Sequence, residues 1–246
     1  MRIATSCITC AMDRDSLEKG EVLFADLNDD DILVARCPKG HEVRFVLQQL
    51  RFEVLMEMGA MALLDGYYRE AVSSFAAAVE RFMEFYIRAA CGGRGVATEA
   101  LTNTWKLMSS QSERQLGAFM ALYLLEEGAA PSLDAKMTEF RNAVIHKGRF
   151  PSRSEAYRYG EWAFSFMVEA GAKLRSRHED ASFRVAAATI GPAFDKLRAR
   201  GEQTALQYTS MFLSWADSSW ASATFDRAMR LLKNRRADTW APPDEA

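Results

Sequence analysis

Two groups of residues in this chain have the types and spacing to do chemistry. The first is the run Phe140-Arg141-Asn142-Ala143-Val144-Ile145-His146-Lys147-Gly148. It sets an arginine, an amide and a histidine at the end of an expected helix, with Gly148 as the stop signal. A guanidinium stabilises anionic charge and an imidazole moves protons near neutral pH. Together they suffice for phosphodiester chemistry without a metal. The second group is Cys7-x-x-Cys10 followed by Cys37-Pro-Lys-Gly-His41. Two tight turns that each offer a pair of soft ligands make a tetrahedral three-cysteine, one-histidine zinc site. With four protein ligands no position is left for substrate, so the expected zinc is structural and supplies folding energy.

Helix geometry limits how the first group can act. Each residue advances by about 100°, so Leu133, Met137, Phe140 and Val144 fall on one stripe that should face a core. Asn142 and His146 share a face pointing away from it. Arg141 and His146 stand roughly 140° apart and cannot both aim at one phosphate from an undistorted helix. Either the helix ends before His146, or two copies meet in a homodimer through the Asn142/His146 face. The plainer alternative is an exposed polar face whose terminal histidine complements the helix dipole.

The elements around these groups are of two kinds. Residues 1–47 carry short β-rich runs, Glu21 to Ala25, Ile32 to Arg36 and Glu42 to Leu47, with an acidic turn from Asp26 to Asp31 between the first two. Gly40 lets the second cysteine turn fold sharply. From Gln48 onward the pattern is helical. Phe52, Leu55, Met56 and Leu63 mark one helix. Tyr68, Val72, Phe75, Val79, Phe82 and Tyr86 mark a second that stops at Cys91-Gly92-Gly93, and this stripe reads as core, with Cys91 an inert thiol. Shorter helices follow around Leu101 to Met108 and Leu116 to Leu124. Ser132 is the expected cap of the Arg141 helix. Ser152 and Glu155 have capping-box spacing and open the next helix, with Tyr159, Ala163, Phe166 and Ala170 on its buried face. The tail from Arg177 is expected to be helical again. Gly191-Pro192 should interrupt its first helix, and a second should lie around Leu206 to Trp215. A third carries Phe225, Met229 and Leu232, ends in Lys233, Arg235 and Arg236, and is followed by a frayed Pro242-Pro243-Asp244-Glu245.

Several of these features resemble known families. The paired cysteine turns among short strands resemble a zinc ribbon. The R-N-x-x-x-H pattern with its following Lys-Gly resembles the R-x(4–6)-H signature of HEPN domains, a family of small helical bundles that includes many RNA-cleaving toxins and defence effectors. The helix pair around Asp65-Gly66-Tyr67-Tyr68 and the segment H-K-G-R-F-P-S-x-x-E-A are similar to the same family. The resemblance spans Gln48 to Arg177. It implies a mainly α chain: a zinc-ribbon-like domain at 1–47, a HEPN-like bundle at 48–177 and a C-terminal helical extension at 178–246. It also implies a metal-independent endoribonuclease with its active site in a cleft between two protomers. His146 would be general base to the 2′-hydroxyl or general acid to the leaving 5′-oxygen. Arg141 would stabilise charge at phosphorus, and Asn142 would orient His146 or a phosphate oxygen. Lys147, Arg149, Arg153 and Arg158, opposed by Glu155 alone in that stretch, form the expected RNA-binding cluster. Two other classes stay open: a non-catalytic HEPN module binding nucleotide or nucleic acid, and an interaction protein that recruits a partner through its ribbon.

Composition sets the outer bounds. The 246 residues are 49% hydrophobic and 26% charged, ordinary for a globular chain. A net charge of −2 means that any nucleic-acid contact must come from a local basic patch. No apolar run is long enough to span a bilayer, and Met1 to Cys10 lacks a signal-peptide core, so a cytoplasmic protein without membrane contact is expected. Four cysteines in a chain of this length point to metal binding rather than to a disulfide framework.

Overall fold

Alternation of apolar and polar residues builds the N-terminal strands, and longer helical periods build everything that packs as a bundle. The computed structural model describes residues 1–12, 22–201, 205–207 and 212–239. Glu21 and residues 242–245, expected above as a strand end and a frayed terminus, lie outside them. The chain forms two compact units, one of Met1–Gln49, Ala187–Ser210 and Thr239–Ala246, the other of Leu50–Ala186 and Met211–Asp238.

In the first unit β1 (Arg2–Ser6) pairs antiparallel with β2 (Val22–Asp26), from Arg2 opposite Asp26 to Ser6 opposite Val22. The short helix α1 (Ile8–Met12) leaves the end of β1. A second hairpin joins β3 (Ile32–Arg36) to β4 (Glu42–Leu47), and β5 (Ala205–Gln207) adds parallel to β4 with Phe45 opposite Ala205. Side chains of a strand alternate between faces. Accordingly Ile3, Leu23, Ala25, Leu33, Ala35, Val43 and Phe45 are buried, and their neighbours in sequence mostly are not. β1 went unread in the sequence because Arg2-Ile3-Ala4-Thr5-Ser6 carries one large apolar residue. Helical residues 187–199 set Ala193 and Leu197 against Val46, with Ile32 and Ile190 beside them.

The second unit is all helix and turn: α2 (Arg51–Leu64), α3 (Tyr68–Gly93), α4 (Thr98–Met108), α5 (Ser112–Glu127), α6 (Ala135–His146), α7 (Arg153–Ala199, up to residue 186) and α8 (Phe225–Thr239). The α3 stripe is core as expected: Val72, Phe75, Val79, Phe82 and Tyr86 are buried. Phe52 of α2 meets Phe82 edge-on at 5.4 Å, and Tyr86 meets Phe119 of α5 at 5.0 Å. Each such ring contributes about 1.5–3 kcal/mol by burial. Val144 is the deepest residue of α6, with Leu133, Met137 and Phe140 packed beside the same core.

Three local expectations are corrected. No helix spans Leu206 to Trp215: 205–207 is strand, and from Phe212 the chain runs in turns to a 3-10 turn at Trp220–Ser222. Buried acceptors on α2 hold this non-helical course. Glu53 accepts the N–H of Leu50 at 2.6 Å and that of Trp215, and Glu57 accepts the N–H of Phe212 at 2.8 Å and pairs with Arg235. Tertiary hydrogen bonds and burial of Phe212, Leu213 and Trp215 therefore outweigh the helical pattern. Second, Gly191-Pro192 does not break α7, whose non-helical point is His178 at φ −137°, ψ 42°. There the imidazole fits against Gly93, where a Cβ would lie 2.2 Å from Nδ1, and reaches to 3.1 Å from Glu126. Third, the cap of α6 is Asp134, which accepts the Lys136 N–H at 2.8 Å, while Ser132 hydrogen-bonds Glu169. No helix among the described residues is long and apolar enough to cross a membrane.

Candidate functional site

The candidate metal site is built by the two hairpins. β1 delivers Cys7 and the first turn of α1 carries Cys10, whose N–H donates to Cys7 Sγ at 3.4 Å. β3 delivers Cys37 and β4 begins just after His41. Between them Cys37 N–H donates to His41 O at 3.0 Å, and Gly40 N–H, at φ +83°, donates back to Cys37 O at 2.9 Å. The four ligand atoms all lie within 4.8 Å of one another. Cys10 Sγ is 3.9 Å from Cys37 Sγ, and His41 Nδ1 is 3.7, 3.3 and 3.5 Å from the sulfurs of Cys7, Cys10 and Cys37.

These separations can be compared with a tetrahedral ion. Metal–sulfur bonds of about 2.3 Å and metal–nitrogen bonds of about 2.05 Å give edges of roughly 3.8 Å between sulfurs and roughly 3.6 Å from sulfur to nitrogen. The observed edges scatter around those values. Partial burial, then the neighbouring Cys7 and Cys37 thiols, push the Cys10 thiol up to about 11. A dication at the centre would reverse that balance by deprotonating the ligands. Three sulfurs and one imidazole in this geometry are compatible with zinc.

The arginine–histidine group has a different character. α6 runs through His146, with Lys147 at its C-cap and Gly148 at φ +70°, so the helix does not end early to relieve the spacing. Arg141 donates through Nη1 to Asn142 Oδ1 at 2.9 Å and through Nη2 to Glu80 of α3, with about a fifth of its side chain exposed. Tyr159 of α7 is buried beside this pair, and burial raises its hydroxyl above the ordinary range. His146 and Lys147 are exposed. The structure therefore joins Arg141 to Asn142, while His146 is exposed at the helix end, one turn on from Asn142.

The expected RNA-binding residues divide in the same way. Arg149 pairs with Glu155 and lies 5.2 Å over the Phe140 ring, so its charge is locally matched. The Ser152–Glu155 capping box forms as read from sequence. Glu155 accepts the Ser152 N–H at 2.8 Å and hydroxyl at 2.9 Å, and these bonds hold its carboxyl below the usual range. Arg153 and Arg158 are exposed on the first turns of α7.

Sequence reasoning missed Glu80, which sits on α3 between the stripe residues Val79 and Phe82. It also missed Glu53 and Glu57. Their spacing of four on an apolar helix was the available signal, since carboxylates there must find buried donors. Comparison with protein-family models, with curated proteins and with solved structures gives no match.

Proposed function

We propose that this chain is a HEPN-type, metal-independent endoribonuclease with a zinc-stabilised ribbon, and that the HEPN resemblance makes a toxin or defence role its expected setting. The observation that supports it most is the exposed end of α6. There His146 stands in solvent, followed by Lys147 and by Arg153 and Arg158 on the next helix, with Asn142 one turn back on the same face and Arg141 hydrogen-bonded to Asn142. In the proposed reaction the strand's 2′-oxygen attacks phosphorus and the 5′-oxygen leaves with a proton, giving a 2′,3′-cyclic phosphate. His146 moves one of those protons, and Arg141 steadies the charge on the phosphorane oxygens. Because roughly 140° separates Arg141 from His146 on the helix, a phosphate touched by both is touched by two copies of the chain.

Zinc enters as a structural ion held by Cys7, Cys10, Cys37 and His41, and it takes no part in cleavage. The Arg141–Glu80 pair favours a second reading, a non-catalytic HEPN module that binds RNA or nucleotide. A guanidinium neutralised by its own chain has less charge to give a transition state. A cleavage assay decides between them. Zinc-loaded wild type, briefly exposed to a chelator, should cut RNA and leave cyclic-phosphate ends. Arg141→Ala and His146→Ala should each slow cutting by about 10²-fold or more. Equal rates in all three would leave the binding module.

A further inference from the structure

The outer face of α5 is unexplained by the other described residues of its own chain. Phe119 and Tyr123 are buried against α3. The opposite side should then be polar, yet from Gly117 to Gly128 its exposed positions are Gly117, Met120, Ala121, Leu124, Leu125 and Gly128, without one charge. Met120, Leu124 and Leu125 are 44%, 54% and 67% exposed. At about 100° per residue, Arg114, Gly117, Ala121, Leu124, Leu125 and Gly128 all fall within one face roughly 100° wide.

Gly117 is a second and independent anomaly. Glycine in a helix interior weakens the helix relative to alanine, so it usually marks a positive φ or a crowded neighbour. Gly117 has neither: its φ is not positive, and a Cβ built there meets nothing within 4 Å. Nothing among the described residues of the chain asks for the missing side chain. A second helix approaching closely would.

We propose that two copies of this chain pair through the outer face of α5, antiparallel, about a two-fold axis at Ala121. In that register Leu125 of one copy lies over Gly117 of the other, and Arg114 lies over Gly128. The large residue fills the gap left by the small one. Arg114, an exposed cation whose Nη1 donates to the Leu107 carbonyl, meets the negative end of the partner helix just before its left-handed Gly128 cap. A parallel arrangement would instead bring the two Arg114 residues together. An uncharged, self-complementary centre is what a two-fold interface requires, since each residue must suit its own symmetry mate. The inference does not rest on the RNA reading: it concerns the free chain, and the α5 contact is distinct from the Asn142/His146 face, where that reading brings a second copy together on RNA.

The test is sedimentation equilibrium on the full zinc-loaded chain over a concentration series. Wild type should be a dimer. Gly117→Leu, which meets open space within its own copy, should raise the dissociation constant about 10-fold or more while leaving the helical circular dichroism intact. Leu125→Ala added to Gly117→Leu should restore pairing by exchanging knob and hole. A monomeric wild type overturns the proposal, as does a dimer indifferent to Gly117→Leu, which would return pairing to another face. A double variant no tighter than Gly117→Leu overturns the antiparallel register. RNA cleavage is measured separately on each species, so neither result prejudges the other.

Discussion

Cys7 and Cys10 reach Cys37 and His41 across two hairpins, whereas Arg141, Asn142 and His146 are strung along a single helix. Convergence in the first case leaves ligand atoms 3.3–3.9 Å apart in the contacts that define the cluster. Divergence in the second leaves Arg141 to a carboxylate from another helix and His146 to solvent. A metal site needs all its donors to reach one common centre. A phosphate site can be completed by the substrate and by a second copy. The difference teaches that four crowded soft ligands carry a functional statement of their own, while an arginine and a histidine strung along one helix do not.

The largest break in that comparison comes from the ligands. Cys37→Ser should abolish stoichiometric metal binding and unfold the strands of the first unit, because a structural zinc supplies on the order of 10 kcal/mol to a small site. Amide exchange in β1–β4 should become fast while far-UV helical signal persists, since α2–α8 bury a core of their own. Loss of the whole helical signal would show that the bundle depends on the metal.

A smaller effect is expected at Glu53. Glu53→Ala leaves the buried N–H groups of Leu50 and Trp215 without their acceptor and should cost about 3 kcal/mol in denaturant unfolding. Burial also pushes this carboxyl up to about 8. Its folded value lies above the ordinary value of about 4.3, so protonation favours the folded chain. The contribution is complete below the ordinary value and is lost as pH rises through about 8. The melting temperature of the bundle should therefore fall from about pH 5 to about pH 8 and level off above it, and Glu53→Gln should flatten that slope. Glu126 and Glu155, held below the usual range by their partners, act only at the acid end and leave this window flat.

Two finer changes sharpen the α6 side. Glu80→Gln removes the carboxylate that competes for Arg141. A part-exposed pair contributes no more than about 1 kcal/mol to stability, so melting should barely move while RNA affinity rises a few-fold in filter binding. Unchanged affinity would place Arg141 outside the RNA contact. Arg153→Ala and Arg158→Ala should each lower the salt dependence of RNA binding by about one unit of slope.

What could be read from sequence follows the same division. The ligand set was legible because cysteine turns are local: Cys7-x-x-Cys10 and Cys37-Pro-Lys-Gly-His41 each specify their own geometry, and the strands beside them specify the distance. The α3 stripe and the Ser152–Glu155 cap were legible for the same reason. Glu80 was not, because its partner lies 61 positions away and nothing local distinguishes it from a solvated glutamate. The stretch from Leu206 to Trp215 misled because its apolar residues suit a helix, while acceptors on α2, more than 150 positions earlier, impose another path. His178 kinks α7 through a fit to Gly93 that no pattern within α7 announces.

Metal coordination is tested most directly by X-ray absorption at the zinc edge on protein purified without added metal, with metal content measured on the same sample. One zinc per chain is predicted, with three sulfurs at about 2.3 Å and one nitrogen at about 2.05 Å, and with one sulfur lost in Cys10→Ser. A chain free of zinc, or a zinc bound by oxygen and nitrogen alone, would contradict the assignment of Cys7, Cys10, Cys37 and His41.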